Sequence, residues 1–217
     1  MAQDAAGRDR LGAQLAPATT ALLTVECQNG VVGEDSALPE LAKEAQDSGM
    51  LARVAALVDA AHLAGVQVLH AVAERRPDGR GANSNARLFR AAGKLPVRQL
   101  SGTPAVVVAA PIAVADEDIV VRRLHGLSPM AGTDLDALLR NLGCRTLVVT
   151  GVSANIAIPN TVFDAVNLGY TVVVPADAIA GVPASYAPEL IRNSLALVAT
   201  ITTTEDVLAT WNQGPTA

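Results

Sequence analysis

Short aliphatic runs recur along this chain with helical stretches between them, and that alternation narrows the possible folds more than any other feature. The runs are Thr20–Val25, Val66–Ala71, Ile119–Val121, Thr146–Thr150, Thr171–Val174 and Thr200–Thr202. Each is too short for a helix and rich in Val, Leu, Ile and Thr, as buried strands are. Between them, Gly49–Leu63 carries apolar residues at helical spacing and ends at Gly65. Asp134–Leu142 follows Thr133 as a cap, a turn at Gly151 opens a helix to about Leu168, and Ala187–Leu197 and Thr204–Trp211 complete the set. Strands reached through helices run parallel, because each return needs a crossover. The expected architecture is α/β: three layers, α/β/α, around a central, mostly parallel sheet of about six strands.

One stretch breaks the alternation. Glu74–Lys94 is polar, with Pro77-Asp78-Gly79 as a turn signal. It reads as a long loop carrying a short helix around Ala86–Ala92. No repeat or linker divides the chain, so residues 18–212 are expected to form one domain, preceded by a flexible segment over 1–17.

Composition excludes several classes. Hydrophobic residues, Met and Cys included, make up 50% of the 217 residues, but aromatics only 2%, so Ala, Val, Leu and Ile must fill the core. The net charge is −5 and no basic stripe with interleaved aromatics exists, so nucleic acid is not an expected partner. The N-terminus, Met1–Gln14, lacks the apolar centre of a signal peptide. The longest apolar stretch, Ala105–Ala115, is broken by Pro111 and too short to span a bilayer, so no membrane partner is expected. Cys27 and Cys144 both lie in apolar surroundings, which suits buried thiols in a reducing cytosol and a cytoplasmic protein.

In an open parallel sheet, ligands bind beyond the carboxyl ends of the strands. The residues there are Glu26 and Gln28, Glu74 and Arg75, Arg122 and Arg123, Ser153 and Asn155, and Asp177. A carboxylate at Glu26 directly follows an apolar strand, so it is either a general acid or base with a raised pKa or a structural partner of an arginine. Either Arg122 or Arg123 can hold an anionic substrate or pair with Glu26; a solvated surface pair is the plainer alternative. Asn155 is a good N-cap for the helix after Gly151, and it puts Pro159 in the first turn, where a missing N–H costs little.

These pieces together resemble the isochorismatase-like (cysteine hydrolase) superfamily over roughly Thr20–Leu208. The resemblance rests on Leu23-Thr24-Val25-Glu26-Cys27-Gln28-Asn29, on Ser128-Pro129-Met130-Ala131-Gly132-Thr133-Asp134-Leu135, on Leu147-Val148-Val149-Thr150-Gly151-Val152, and on Thr161-Val162-Phe163-Asp164-Ala165 through Gly169-Tyr170. It implies a catalytic Asp, Lys and Cys. Glu26 takes the aspartate position. Counting forward from Val120-Val121 puts the lysine position at Arg123, with Arg122 as its rival; counting back from Ser128 gives Leu124. The cysteine position is Ala157, whose methyl group cannot act as a nucleophile. Cys27 neighbours Glu26 on a strand and so points to the other face, while Cys144 precedes its strand at the far end of the sheet. The resemblance also implies a non-proline cis peptide at Val152-Ser153 and a homodimer or homotetramer.

The nicotinamidase branch carries an Asp-x-His metal motif after the second strand. Here that region reads His70-Ala71-Val72-Ala73-Glu74-Arg75, so neither a metal nor a cofactor is expected. His70 reads as a strand-end histidine and His62 as a surface helix residue. Two functions follow. One is a hydrolase without a cysteine nucleophile, in which Glu26 protonates a small, anionic metabolite of the vinyl ether, imine or amide class. Gln28, Arg75, Asn85, Arg122, His125, Ser153 and Asn155 are its expected substrate-binding residues. The other is an inactive member that binds a small molecule or a protein partner.

Overall fold

A strand made only of apolar residues and threonine, with no charge, can be buried on both faces, and two of the runs are of that kind. In a computed structural model describing residues 9–212, β1 (Thr20–Val25) and β4 (Thr146–Val152) are buried along their whole length. They pair with each other, Thr20 against Thr146 through Val25 against Gly151. Around them lie β2 (Gln67–Ala73), β3 (Ile119–Arg123), β5 (Thr171–Pro175), β6 (Ile179–Ala180) and β7 (Thr200–Thr202). All pairings are parallel, in the order β3-β2-β1-β4-β5-β7, with β6 beside the end of β4. This is the expected three-layer α/β architecture, with seven strands rather than about six. The extra strand, β6, has two residues, too short to stand out as an apolar run.

Although β1 and β4 are buried throughout, their side chains still alternate between two faces. Ala21, Leu23 and Val25 face one layer with Leu147, Val149, Val172 and Val174. That layer comprises α5 (Leu135–Asn141), α6 (Ala157–Asn167) and α7 (Tyr186–Asn193). Leu22, Val68, Val148 and Val173 face the other way. There they meet α3 (Met50–Ala64) and α8 (Thr204–Asn212), joined by Leu11, Leu15 and Trp211. The sequence period of two survives within an apolar strand because the pleat imposes it. Three shorter helices lie on the loops: α1 (Asn29–Val32), α2 (Pro39–Asp47) and α4 (Arg87–Ala92). The last is the short helix expected within the polar stretch.

The segment expected to be flexible, 1–17, is described from residue 9 onward. Residues 9–14 are helical, Leu15 is fully buried, and its carbonyl accepts the Trp211 indole N–H at 3.2 Å. The described part of the 1–17 segment is therefore pinned to the last helix by apolar burial; residues 1–8 lie outside the described residues. No described helix is long and apolar enough to cross a membrane.

The chain builds β1, β2 and β3 outward in one direction, then returns to place β4 on the other side of β1. This reversal is a topological switch point, and beyond it the loops diverge to leave a crevice. The residues that follow β1 and β4 are thus the ones the fold places at that crevice.

Candidate active site

Where β1 ends, Glu26 leaves the strand with φ at +52°, a left-handed backbone rarely adopted by a side chain of this size. Its N–H still donates to the Ala71 carbonyl at 2.8 Å. The neighbouring strand thus holds a turn that glutamate alone would not favour, and strain of this kind gathers at functional positions. The Glu26 side chain is partly exposed, and one oxygen accepts a hydrogen bond from the guanidinium of Arg123, the last residue of β3. Arg123 is buried and also donates to the Gly126 carbonyl. Burial pushes the Glu26 carboxyl above its ordinary range, and the charge and hydrogen bond of Arg123 pull back only part of that rise.

Across from them, β4 runs into α6. Gly151 has φ of +102°, and a Cβ there would sit 2.3 Å from the Val25 carbonyl oxygen and 2.8 Å from Cys27 Sγ. Only glycine lets β4 lie so close to β1 at the base of the site. The peptide Val152-Ser153 is cis. The Ser153 carbonyl accepts the N–H groups of Ile156 and Ile158, and that of Ala157 has no backbone acceptor among the described residues. Ala157 opens α6 and is buried.

Glu26, Arg123, Ser153 and Ala157 line one cavity of about 240 Å³, together with Arg75 and His125. The His125 ring packs on Gly132, where a Cβ would come within 2.6 Å of it. Six of the ten sequence-derived site residues thus meet at one place. The other four are engaged elsewhere, and each for a visible reason. Gln28 is fully buried, and its carboxamide behaves like one more peptide of β2, accepting from the Ala73 N–H at 2.7 Å and donating to the Ala73 carbonyl at 2.8 Å. Arg122 alternates to the opposite face of β3 from Arg123 and pairs at 3.0 Å with Glu74 on the surface. Asn155 does not cap α6; its side chain bridges the N–H and carbonyl of Val182, at 2.9 and 2.7 Å. Asn85 is exposed and supports Asn83, which lines the cavity and accepts the Gly126 N–H at 2.8 Å. Between Arg122 and Arg123, then, alternation along β3 turns Arg123 to the cavity.

Two further histidines form a separate unit. His70 is fully buried mid-strand rather than at a strand end. Its ring meets Thr24 Oγ1 at 2.8 Å and Asp118 at 3.2 Å, and His62 meets the same carboxylate at 2.8 Å. Thr24 and His70 lie in the α3-facing layer, away from the cavity. Cys27 and Cys144 are buried, and burial, with the nearby Glu26 charge, pushes the Cys27 thiol up to about 12.

Missing from the sequence reading is the cavity's apolar wall: Val31, Leu38, Leu41, Leu88, Phe89 and Leu95. One signal was available, since Leu88-Phe89 is an apolar pair in an otherwise polar stretch and Phe89 is one of two phenylalanines in the chain.

Comparison with known proteins decides the family. The model of the isochorismatase domain matches residues 20–206. The chain belongs to the isochorismatase family. It is 31% identical over 180 residues to the ureidoacrylate amidohydrolase of Methylorubrum extorquens, covering 76% of this chain and 72% of that protein. An uncharacterized isochorismatase family protein of Escherichia coli O157:H7 is 31% identical over 100 residues, 46% of this chain. This chain's match spans about half, 52%, of that relative's length. Among solved structures, a cysteine hydrolase of Pseudomonas syringae pv. phaseolicola superposes with a TM-score of 0.78 at 24% identity, covering 91% of this chain and 94% of the other. That likeness carries the isochorismatase-family fold.

Proposed function

We propose that this chain is a hydrolase that works without a cysteine nucleophile, with Glu26 as its general acid. The observation that carries the reading is the Glu26 carboxyl, held by Arg123 and facing a cavity in which the helix-start residue is Ala157. A protonated Glu26 can deliver its proton to the reacting group of a vinyl ether, imine or amide. For a vinyl ether, the proton adds to the terminal carbon and leaves an oxocarbenium; water adds to the oxygen-bearing carbon and returns a proton to the Glu26 carboxylate, and the hemiketal collapses to a ketone and an alcohol. Arg123 positions the carboxyl and moderates its pKa. The Ala157 N–H and the Ser153 hydroxyl are available to oxygen atoms of the substrate without forming any covalent bond to it. Arg75 has no ion pair among the described residues and is the cation offered to an anionic group.

The test is Glu26→Gln, screened with the wild type against vinyl ethers, imines and amides. Removal of the proton is expected to lower kcat/KM by about a hundredfold or more. Equal rates in both proteins would end the acid role. A binding-only reading has one observation in its favour: the Glu26–Arg123 pair is already mutually satisfied. Under that reading the panel yields no turnover by either protein, while small molecules still bind the cavity.

A further inference from the structure

The polar stretch between β2 and β3 buries almost nothing of its own. From residue 73 to 105 no residue is fully buried, and α4 contributes no residue to either core. Its backbone is held instead by hydrogen bonds at its ends: Arg75 N–H to the Gln99 carbonyl at 2.7 Å and Ser101 N–H to the Arg75 carbonyl at 2.9 Å. Yet this segment carries Leu88, Phe89 and Leu95 to the cavity, where they meet Leu38, Leu41 and Ile156 from other elements. Leu88 is 49% exposed, and Leu38 and Ile156 are 37% exposed each. Large apolar side chains from three parts of the chain converge on one space, and Leu38, Leu88 and Ile156 remain exposed there although Leu41 is buried.

The polar side chains in the same wall are already engaged. Gln99 donates to the Gly30 carbonyl at 3.4 Å, Asn83 is held by Gly126 and Asn85, and Glu74 by Arg122 and Ser101. Little is left there to satisfy a polyhydroxylated ligand, whose buried hydroxyls would lose water without replacement. Uncommitted polar groups gather at the floor, around Ser153 and Ala157 beside Glu26, and at Arg75 and His125.

We infer that the substrate carries an apolar body, aryl or branched alkyl, joined to the polar group that reacts at Glu26, and that Leu88, Phe89 and Leu95 form the roof that closes over that body. The inference rests on the reading of the cavity as the substrate site and deepens it. The floor and the roof line one continuous space, so an occupant that reaches Glu26 must pass or fill the apolar part. Filling it removes from water the side chains that the protein leaves uncovered, and this supplies affinity in proportion to apolar area.

The experiment compares 3-phenylpropanamide with propanamide, and 3-phenylpropanoate with propanoate, by calorimetry on the full chain. The phenyl members are expected to bind about tenfold or more tightly than their short partners. Phe89→Ser is expected to remove most of that difference and Phe89→Leu to keep it, with the melting temperature of both variants unchanged because the roof belongs to neither core. Equal affinities across each pair, or a Phe89→Ser variant that binds like the wild type, would overturn the inference. So would phenyl binding that vanishes as the chain self-associates, since the face would then belong to a second copy. The Glu26→Gln protein separates this inference from the acid role. Phenyl probes that bind wild type and variant alike, with neither hydrolysing them, sink only the acid. Glu26-dependent turnover of short amides, without preference for phenyl, sinks only the apolar body.

Discussion

At the scale of single residues, the site is a compromise between burial and charge. Glu26 sits in a strained backbone and an apolar crevice, and Arg123 offsets only part of the cost of ionising it. Because its folded pKa is raised above the ordinary 4.5, the folded protein holds a proton that the unfolded chain releases. That contributes stability at low pH which is lost as pH rises through the folded value. Glu26→Gln removes the loss, so the variant is expected to gain on the wild type in urea unfolding as pH goes from 4 to 8. Arg123→Met takes away the charge that lowers the Glu26 pKa. If Glu26 acts as an acid, the alkaline limb of the kcat/KM–pH profile is then expected to move to higher pH; an unmoved limb would separate Arg123 from the acid's titration. Gly151→Ala forces a Cβ to within 2.3 Å of the Val25 carbonyl oxygen. It is expected to cost about 3 kcal/mol or more in denaturant unfolding, because the clash is with backbone and the φ is left-handed.

At the scale of elements, the loop before β3 is fastened by one buried carboxylate. Asp118 accepts the Ala115 N–H at 2.8 Å and joins His62 on α3 to His70 on β2. Burial works against its charge, but the Ala115 N–H and the two histidines outweigh it and hold the carboxyl below the usual range. Burial likewise pushes His70 below 6.5, against the pull of Asp118. Both folded pKa values are depressed, so both contributions are complete above the unfolded values and disappear on acidification. Stability is expected to fall first as pH drops below about 6.5, when unfolded His70 takes up a proton that the folded chain resists, and again below about 4 with Asp118. Replacing His70 by Asn is expected to flatten the first step in a series of melts from pH 8 to 5. A wild type with the same slope would show that His70 is not its source.

At the scale of the whole molecule, two apolar cores sandwich the sheet, and the segment from 73 to 105 belongs to neither. Stability is therefore uneven, and local opening of that segment exposes little apolar surface. Brief trypsin treatment under native conditions is expected to cut first at Arg80, Arg87, Arg90 or Lys94, leaving the sheet intact. A cavity ligand is expected to slow that cleavage. First cuts within α3 or α8 would contradict this division of the molecule.

What the sequence determined by itself is the layered sheet, the positions beyond its strand ends, and the alanine at the start of the helix after β4. These are local properties: an apolar run, a glycine stop or a missing thiol is readable within a few residues. The tertiary structure decided which candidates face one another. Arg123 turns inward and Arg122 outward because β3 alternates in the register that β2 imposes. Gln28 and Asn155 were diverted to backbone far away in the chain, Gln28 to the end of β2 at Ala73 and Asn155 to Val182. The left-handed turn at Glu26 and the apolar roof likewise have no local signature. Each exists because elements far apart in the chain converge at the point where the strand order reverses.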